Sequence, residues 1–210
     1  MKHWMAAAAL AGISTWTQAD GLQSLEQFMK SSQAGQAEFT QTVTSPPKEG
    51  QAPRSKTSSG SFAFQRPGKF KFVYQKPFEQ TIVADGQTLS LYDVDLNQVT
   101  QRQQSKALGQ TPAALLASAA SLSALKAEFD LANAPEADGQ QWVQATPKAQ
   151  DGQLKRVRVG FKGDALQTLE IEDGFGQRSV VRFSSFSTAP SLPASTFEFK
   201  VPAGADVVKQ

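Results

Sequence analysis

Few side chains of this 210-residue sequence could carry out chemistry. Its one histidine, His3, lies close to the N-terminus, and the sequence has no cysteine. The remaining candidates are carboxylates two residues apart, such as Glu170 with Glu172 or Asp93 with Asp95. On a strand, such a pair shares one face and resembles the acid pair of a glycosidase. Solvated strand faces commonly carry such pairs, so we expect no enzyme and no catalytic residue.

A different chemistry, ligand binding, is indicated by the stretch SFAFQRPGKFKFVYQKP at residues 61–77. Arg66 lies at its Pro67–Gly68 break and has the same parity as the aromatic residues. A guanidinium offers several N–H donors, and the carbonyl groups at helix ends lack intrahelical partners. Arg66 could therefore fasten a helix over an apolar interior, or it could be a solvent-facing turn residue. The aromatic residues, which would share one face of an extended chain, are Phe62, Phe64, Phe70, Phe72 and Tyr74.

The same stretch constrains its own turn. Pairing Phe62 with Phe72 and Phe64 with Phe70 places aromatic rings opposite one another, which stabilises a hairpin. This register needs a loop of odd length, because a two-residue turn would misalign the two faces by one residue. We predict a three-residue loop centred on Pro67, with Arg66 at the edge of the aromatic face.

The first 19 residues are typical of a cleaved secretory signal peptide. Lys2 precedes an apolar run, and Thr17-Gln18-Ala19 offers small residues at the first and third positions of a cleavage site. The run is too short to span a bilayer, although a membrane anchor or a buried helix is the alternative. We expect cleavage after Ala19 and one exported domain over residues 20–210.

Loss of that segment would leave a chain without histidine or cysteine. Nucleophilic triads that need histidine are then excluded, as are zinc sites with nitrogen or sulfur ligands. We expect no cofactor, no metal, no disulfide and no lipidated cysteine. The basic residues Lys155, Arg156 and Arg158 fall on one strand without interleaved aromatic residues, so a solvated face is favoured and no nucleic acid partner is expected.

Hydrophobic periodicity predicts a short helix followed by many strands. The helix spans DGLQSLEQFMKSS, with Asp20 as N-cap and with Leu22, Leu25, Phe28 and Met29 at helical spacing. Dipeptides such as Asp85-Gly86 and Asp138-Gly139 separate the later runs and are strong hairpin signals. We predict an antiparallel meander with strands at 37–44, 59–65, 69–75, 79–84, 87–93, 97–103, 127–132, 140–146, 154–161, 165–172, 177–186 and 196–201.

Two segments interrupt the strand pattern. Residues 45–60, rich in Pro, Ser and Gly, are predicted to form a mobile loop that connects two strands. In GQTPAALLASAASLSALKAE, Thr111 and Pro112 open a helix that carries Leu115, Leu116 and Ala119, and a shorter turn follows around Leu122 and Leu125. A sheet this long must curl. The expected fold is mainly β, a curved antiparallel sheet that forms an incomplete, half-open β-barrel covered by a helical lid.

Several motifs, in this order, resemble those of the LolA family of periplasmic lipoprotein carriers. They are AEFTQTV, GSFAFQRPGKFKFVY, PFEQTIVADGQTLSLYD, LGQTPAALLA and FEFKVPAGADVV. The resemblance covers essentially the whole chain after residue 19. It implies an incomplete barrel of eleven strands under a lid of three helices.

The resemblance also implies roles for individual residues. Arg66 matches an arginine that bonds backbone carbonyls of the lid and couples lid opening to release. The lid positions that match are Leu116 and Ala117, with Leu25 as a further neighbour. Phe70 matches an aromatic residue implicated in handling by the receptor or ligand. The acyl-chain cavity would be lined by Phe62, Phe64, Phe70, Phe72 and Leu115.

The function that the resemblance implies is transport of lipoproteins through the periplasm. A monomeric carrier would receive acyl chains from the inner-membrane, ATP-driven complex LolCDE and deliver them to the outer-membrane acceptor LolB. Because LolB is itself lipidated on cysteine, a chain without cysteine falls on the carrier side. At ~0.8 kcal/mol per buried CH₂, one ~16-carbon chain is worth about 13 kcal/mol. A lipid or amphiphile sensor with the same fold is the alternative.

Overall fold

The computed structural model describes residues 20–47, 50–107, 119–149 and 154–210. Within these ranges three α-helices are present, α1 (Gly21–Ser31), α2 (Gln104–Ala107) and α3 (Leu122–Glu128), together with a 3₁₀ turn at Ala194–Phe197. None of the helices in the described part of the chain is long and apolar enough to cross a membrane.

Helix α1 begins and packs as its sequence predicts. The Asp20 carboxylate accepts a hydrogen bond from the Gln23 N–H at 2.8 Å, which caps the first turn. Leu25, Phe28 and Met29 are buried against the sheet. Ser32 caps the C-terminus of the helix, and its N–H donates to the Phe28 carbonyl at 3.0 Å.

The strands form one sheet, in the order β12-β6-β5-β4-β3-β2-β1-β11-β10-β9-β8-β7. Their bounds are β1 Ala34–Ser45, β2 Arg54–Gln65, β3 Lys69–Lys76, β4 Gln80–Asp85, β5 Thr88–Asp93, β6 Gln98–Gln103, β7 Phe129–Ala137, β8 Gln140–Pro147, β9 Leu154–Lys162, β10 Ala165–Asp173, β11 Arg178–Ala189 and β12 Asp206–Lys209. The fold is mainly β, and its open, curved sheet has twelve strands, where the family resemblance implied eleven.

The sheet contains two antiparallel meanders, β1–β6 and β7–β11, which join where β1 pairs with β11. The prediction of one continuous meander was wrong at two places. The chain from β6 to β7 passes from one side of the sheet to its opposite edge, and β12 pairs with β6 in parallel. The strand predicted at 196–201 is also absent, because Phe197 is buried within the 3₁₀ turn and Pro202 has no N–H to donate to a ladder.

The loop predicted at 45–60 is shorter than expected. Strand β1 extends to Ser45, which pairs with Arg54 at the start of β2. The polar residues between Arg54 and Ser59 therefore belong to a part of β2 that is exposed to solvent on both faces. Side chains link the two strands there, as between the Thr44 and Ser55 hydroxyl groups, 2.9 Å apart. Composition suggested a loop because the period-two signal is lost where neither face is apolar.

The predicted three-residue turn is confirmed. Phe62 pairs with Phe72, Phe64 pairs with Phe70, and Gln65 pairs with Lys69 on either side of residues 66–68. We call Phe62, Phe64, Phe70 and Phe72 the aromatic ladder. All four side chains are buried.

Gly60 allows the aromatic surface to continue past the ladder. It pairs with Phe39 on one side and with Tyr74 on the other, at an irregularity in the β2–β3 register. Because Gly60 has no side chain, the Phe39 and Tyr74 rings meet across it, with centroids 5.1 Å apart. A Cβ atom at this position would overlap the backbone of Val73.

We predict that Gly60→Ala lowers the free energy of unfolding by about 3 kcal/mol, the upper end of what overpacking costs, because the obstructing atom belongs to the backbone. Urea denaturation followed by circular dichroism measures this change. Ser59→Ala, at the half-exposed neighbouring position, is the control and should leave the midpoint nearly unchanged. Equal midpoints for the two variants would contradict this account of Gly60.

Candidate functional site

The aromatic ladder forms the floor of an apolar interior. The Phe62 and Phe72 ring centroids are 4.5 Å apart, and those of Phe62 and Phe64 are 5.8 Å apart. Phe28, on α1, contacts Phe64 at 6.0 Å and Phe161 of β9 at 5.8 Å. One side chain of α1 therefore touches both meanders.

Arg66 lies inside this interior and not in solvent. Its side chain is 8% exposed, so the alternative of a solvent-facing turn residue is wrong. The guanidinium carbon lies 5.2 Å from the Phe28 ring centroid and 5.0 Å from that of Phe64. Nη1 donates a hydrogen bond to the Ser32 carbonyl at 3.0 Å. Arg66 thus ties the hairpin turn to the end of α1.

The Arg66 guanidinium has unused hydrogen-bonding capacity. Its Nε and Nη2 are buried and have no hydrogen-bond partner among the described residues. Burial lowers the pKa of Arg66 to about 10, which still leaves a cation at neutral pH. Unpaired buried N–H groups cost free energy, so an additional acceptor would stabilise the guanidinium where it lies.

The predicted lid residues divide into two groups. Leu115, Leu116 and Ala117 lie outside the described residues. Leu25 is 2% exposed and packs in the core from α1, on the same helix whose end accepts the Arg66 bond. Phe70 is fully buried, so a partner could touch it only after the interior opens.

Three participants were missed by the sequence reasoning. Ser32 was not singled out, although a helix end always offers free carbonyls. Phe28 was placed among the apolar residues at helical spacing, but its contact with Arg66 was not predicted. Phe186 packs against Phe28 and Phe64, at 5.8 and 6.3 Å between ring centroids. It has the opposite parity to Phe183, and both reach the interior because the β1–β11 register shifts between them, near Ser185 at φ 52°.

Among the described residues, the space between α1, α3 and the second meander is nearly filled. The cavity between α1, α3 and strands β7–β9 has a volume of about 20 Å³. Pockets that hold ligands usually have roughly 300–1,000 Å³. An acyl chain could therefore enter behind these helices only if they move. The residues that line this small cavity are Leu25, Leu125, Phe129, Leu131, Val143, Ala145, Val157 and Val159.

Two of the four carboxylates considered as catalysts, Glu170 and Glu172, are engaged in ion pairs. Glu170 contacts Arg158 at 3.1 Å and Arg178 at 2.8 Å. Glu172 contacts Lys155 and Arg156. The hydrogen bond from Lys155 lowers the pKa of Glu172 below its usual value, and Arg156 acts in the same direction. A glycosidase acid needs the opposite shift. No cluster of metal-binding side chains occurs among the described residues.

Comparison with known proteins gives a consistent set of relatives. A family model described as "Outer membrane lipoprotein carrier protein LolA" matches residues 30–200. An outer-membrane lipoprotein carrier protein of Albidiferax ferrireducens is 63% identical over 207 residues, which cover 97% of this chain and 96% of that protein. One from Leptothrix cholodnii is 51% identical over 200 residues, covering 95% and 91%.

Among solved structures, an uncharacterized conserved protein from Thermus thermophilus matches with a TM-score of 0.55. The match covers 90% of this chain and 98% of that chain at 12% sequence identity. At so low an identity the likeness concerns the fold alone.

We predict that Phe28→Ala lowers the free energy of unfolding by about 3–5 kcal/mol, as expected for a buried ring, and that it loosens α1 locally. Hydrogen exchange of the amides in residues 21–31 should accelerate more than exchange in β9 and β10. Glu26→Ala, on the exposed face of the same helix, is the control and should leave these amides protected. Uniform acceleration in the Phe28 variant would argue against α1 as a separately opening element.

Proposed function

Because this chain belongs to the LolA family, we propose that it carries lipoproteins through the periplasm by binding their acyl chains inside the curved sheet. The single observation that carries this proposal is the position of Arg66. A cation buried among phenylalanine rings and bonded to the end of a helix is a contact that can break and re-form. The protein is then a carrier and not an enzyme.

The energetics require an interior that opens. Acyl chains bind because they leave water, and the cavity between α1, α3 and strands β7–β9 has no room for them. Opening exposes apolar surface of α1 and the ladder, and the incoming chains cover it again. The Arg66 bond adds roughly 1.5–3 kcal/mol to the closed state, the range for a hydrogen bond to a charged group. Such a contribution is large enough to favour release and small enough to be reversed without a chemical step.

The covering element in this proposal is a helical lid over a half-open barrel. It comprises α1, α3 and the helix predicted to begin at Thr111, with Leu115 facing the acyl chains. Leu116 and Ala117 would supply carbonyls to the Arg66 N–H groups that have no partner among the described residues. The aromatic ladder would line the open cavity.

The remaining steps follow from the family. Residues 1–19 would direct export and be removed, which leaves a periplasmic monomer. LolCDE would load this carrier at the inner membrane, and LolB would accept the cargo at the outer membrane. No cofactor and no nucleic acid takes part.

We predict that the protein, purified from the periplasm of a Gram-negative host without detergent, retains triacylated or diacylated N-terminal peptides. Mass spectrometry after limited proteolysis of the complex identifies them. A detergent-washed sample of the same protein is the control and should lack them. Recovery of free phospholipid or glycolipid alone would favour the lipid sensor and reject the lipoprotein carrier.

We predict that Arg66→Leu still takes up lipoprotein but fails to deliver it. Loss of 1.5–3 kcal/mol from the closed state corresponds to about 10- to 150-fold tighter retention. Transfer of a labelled lipoprotein to immobilised LolB measures this. Arg182→Leu removes an exposed arginine of β11 and serves as the control. Wild-type transfer by the Arg66 variant would reject its role in release.

A further inference from the structure

The face that carries the aromatic ladder continues to the opposite ends of the same strands, and there it is open. In β1 the residues that follow Phe39 on this face are Gln41 and Val43, and in β2 the ladder is preceded on this face by Ser58 and Lys56. Between these ends lies a cleft of about 710 Å³. We call it the far cleft. Its walls include Val43, Lys56, Tyr74, Phe78, Gln80 and Leu96.

The far cleft differs from the closed interior in being accessible. Its volume falls within the range of roughly 300–1,000 Å³ that is usual for ligand sites, whereas the cavity behind the helices has about 20 Å³. Ten residues separate Lys56 from Arg66 along β2, about 33 Å at ~3.3 Å per residue. A ligand in the far cleft would therefore not touch the Arg66 contact.

Large apolar side chains stand exposed in the wall of the far cleft. Phe78 is 57% exposed and Leu96 is 69% exposed. The Lys56 ammonium lies 4.5 Å from the Phe78 ring centroid, a cation–π contact that positions the ring beside β2. Clustered exposed apolar groups in a concave site are typical of ligand binding.

A single polar layer separates the far cleft from the aromatic interior. The Tyr74 hydroxyl donates to the Gln41 amide oxygen at 2.9 Å, and the Gln41 amide nitrogen donates to the Ser179 hydroxyl at 2.7 Å. The Tyr74 ring itself contacts Phe39 and Phe72. Burial raises the pKa of Tyr74 to about 12, so its hydroxyl remains a neutral donor. The two spaces are thus adjacent.

Charges around the far cleft are mixed. Arg54 and Lys56 contribute two cations, and Glu79, Asp93 and Asp95 contribute three carboxylates. An anionic headgroup gains little from such a rim. Uncharged esters and amides suit it better, because cations and amide side chains donate to their carbonyl oxygens without a net charge to balance. A diacylglyceryl group on a peptide has this chemistry, with apolar chains attached to ester carbonyls.

We propose that the far cleft is a preformed binding site for the diacylglyceryl-cysteine portion of a lipoprotein, occupied while α1 still closes the interior. One acyl chain lies along Val43, Phe78 and Leu96, and the ester oxygens face the rim. This inference rests on the proposed function and adds a site to it. Binding here holds the cargo next to the aromatic interior before the Arg66 contact breaks.

The test uses a synthetic peptide whose N-terminal cysteine carries a dipalmitoylglyceryl group. Its Kd for the residue 20–210 protein is compared with its Kd for the double variant Phe78→Ala/Leu96→Asp. Both positions are exposed, so the variant should fold normally, as circular dichroism and the Tm will show. We expect binding to weaken about tenfold, which corresponds to the loss of two apolar contacts. Phe175→Ala is the matched control, since Phe175 is 83% exposed but is not in the cleft wall.

A second measurement locates the lipid. Photoreactive p-benzoylphenylalanine at position 78 should crosslink to the acyl chains, and the same group at position 175 should not. At the lowest peptide concentration that gives crosslinks, the amides of α1 should keep the protection of the free protein. Unchanged affinity in the double variant, or equal crosslinking at both positions, overturns the far cleft and leaves the carrier function standing. No binding of the lipopeptide to the unaltered protein overturns both.

Discussion

The hydrogen bond from Arg66 to the Ser32 carbonyl is the contact on which the proposed closed form depends. It joins a tight hairpin turn to the end of α1, and α1 in turn touches both meanders through Phe28. The cation is held between two rings, where it is poorly hydrated and where two of its nitrogens have no partner in the described part of the chain. A hydrogen bond from such a charge contributes roughly 1.5–3 kcal/mol, and only in the one arrangement that brings its partner within reach.

A carrier of acyl chains meets a conflict between close packing and ligand binding, and the proposed role of this contact addresses it. Protein interiors are close-packed, and a large dry cavity lined by phenylalanine would forfeit dispersion contacts on every wall. In the described part of the chain, Phe28 of α1 supplies such contacts by packing on Phe64 and Phe161. A bound acyl chain must replace the contacts that are lost. The free energy gained on binding then offsets the free energy spent on opening. Phenylalanine suits this exchange because rings stack on one another and present flat surfaces to a chain.

Much of the aromatic interior could be predicted from the alternation of side chains along a strand. The rest depends on register shifts and backbone contacts that this alternation does not reveal. The even-numbered aromatic residues of 61–77 fixed both the register and the three-residue turn, since one face had to stay apolar. Phe186 escaped prediction because the register shift near Ser185 reverses its face. The partner of Arg66 escaped it as well, because Ser32 is distant in sequence and accepts through its backbone, which no side-chain pattern reveals. The start of β2 was mistaken for a loop because it is polar on both faces.

The side chains on this face change from aromatic to polar along each strand, which fits the two roles proposed for it. Near Arg66 the face is entirely aromatic and can be covered only by another apolar surface, to which α1 contributes Phe28 against Phe64. Towards Arg54 it becomes polar by degrees, through the Tyr74, Gln41 and Ser179 hydrogen bonds and then to charged residues at the rim. A surface that changes from apolar to polar along its length is complementary to a lipoprotein N-terminus. That ligand has hydrocarbon chains at one end and a hydrated peptide at the other. Gly60 has no side chain, so the Phe39 and Tyr74 rings contact each other across it. The aromatic surface is therefore continuous between the ladder and the far cleft.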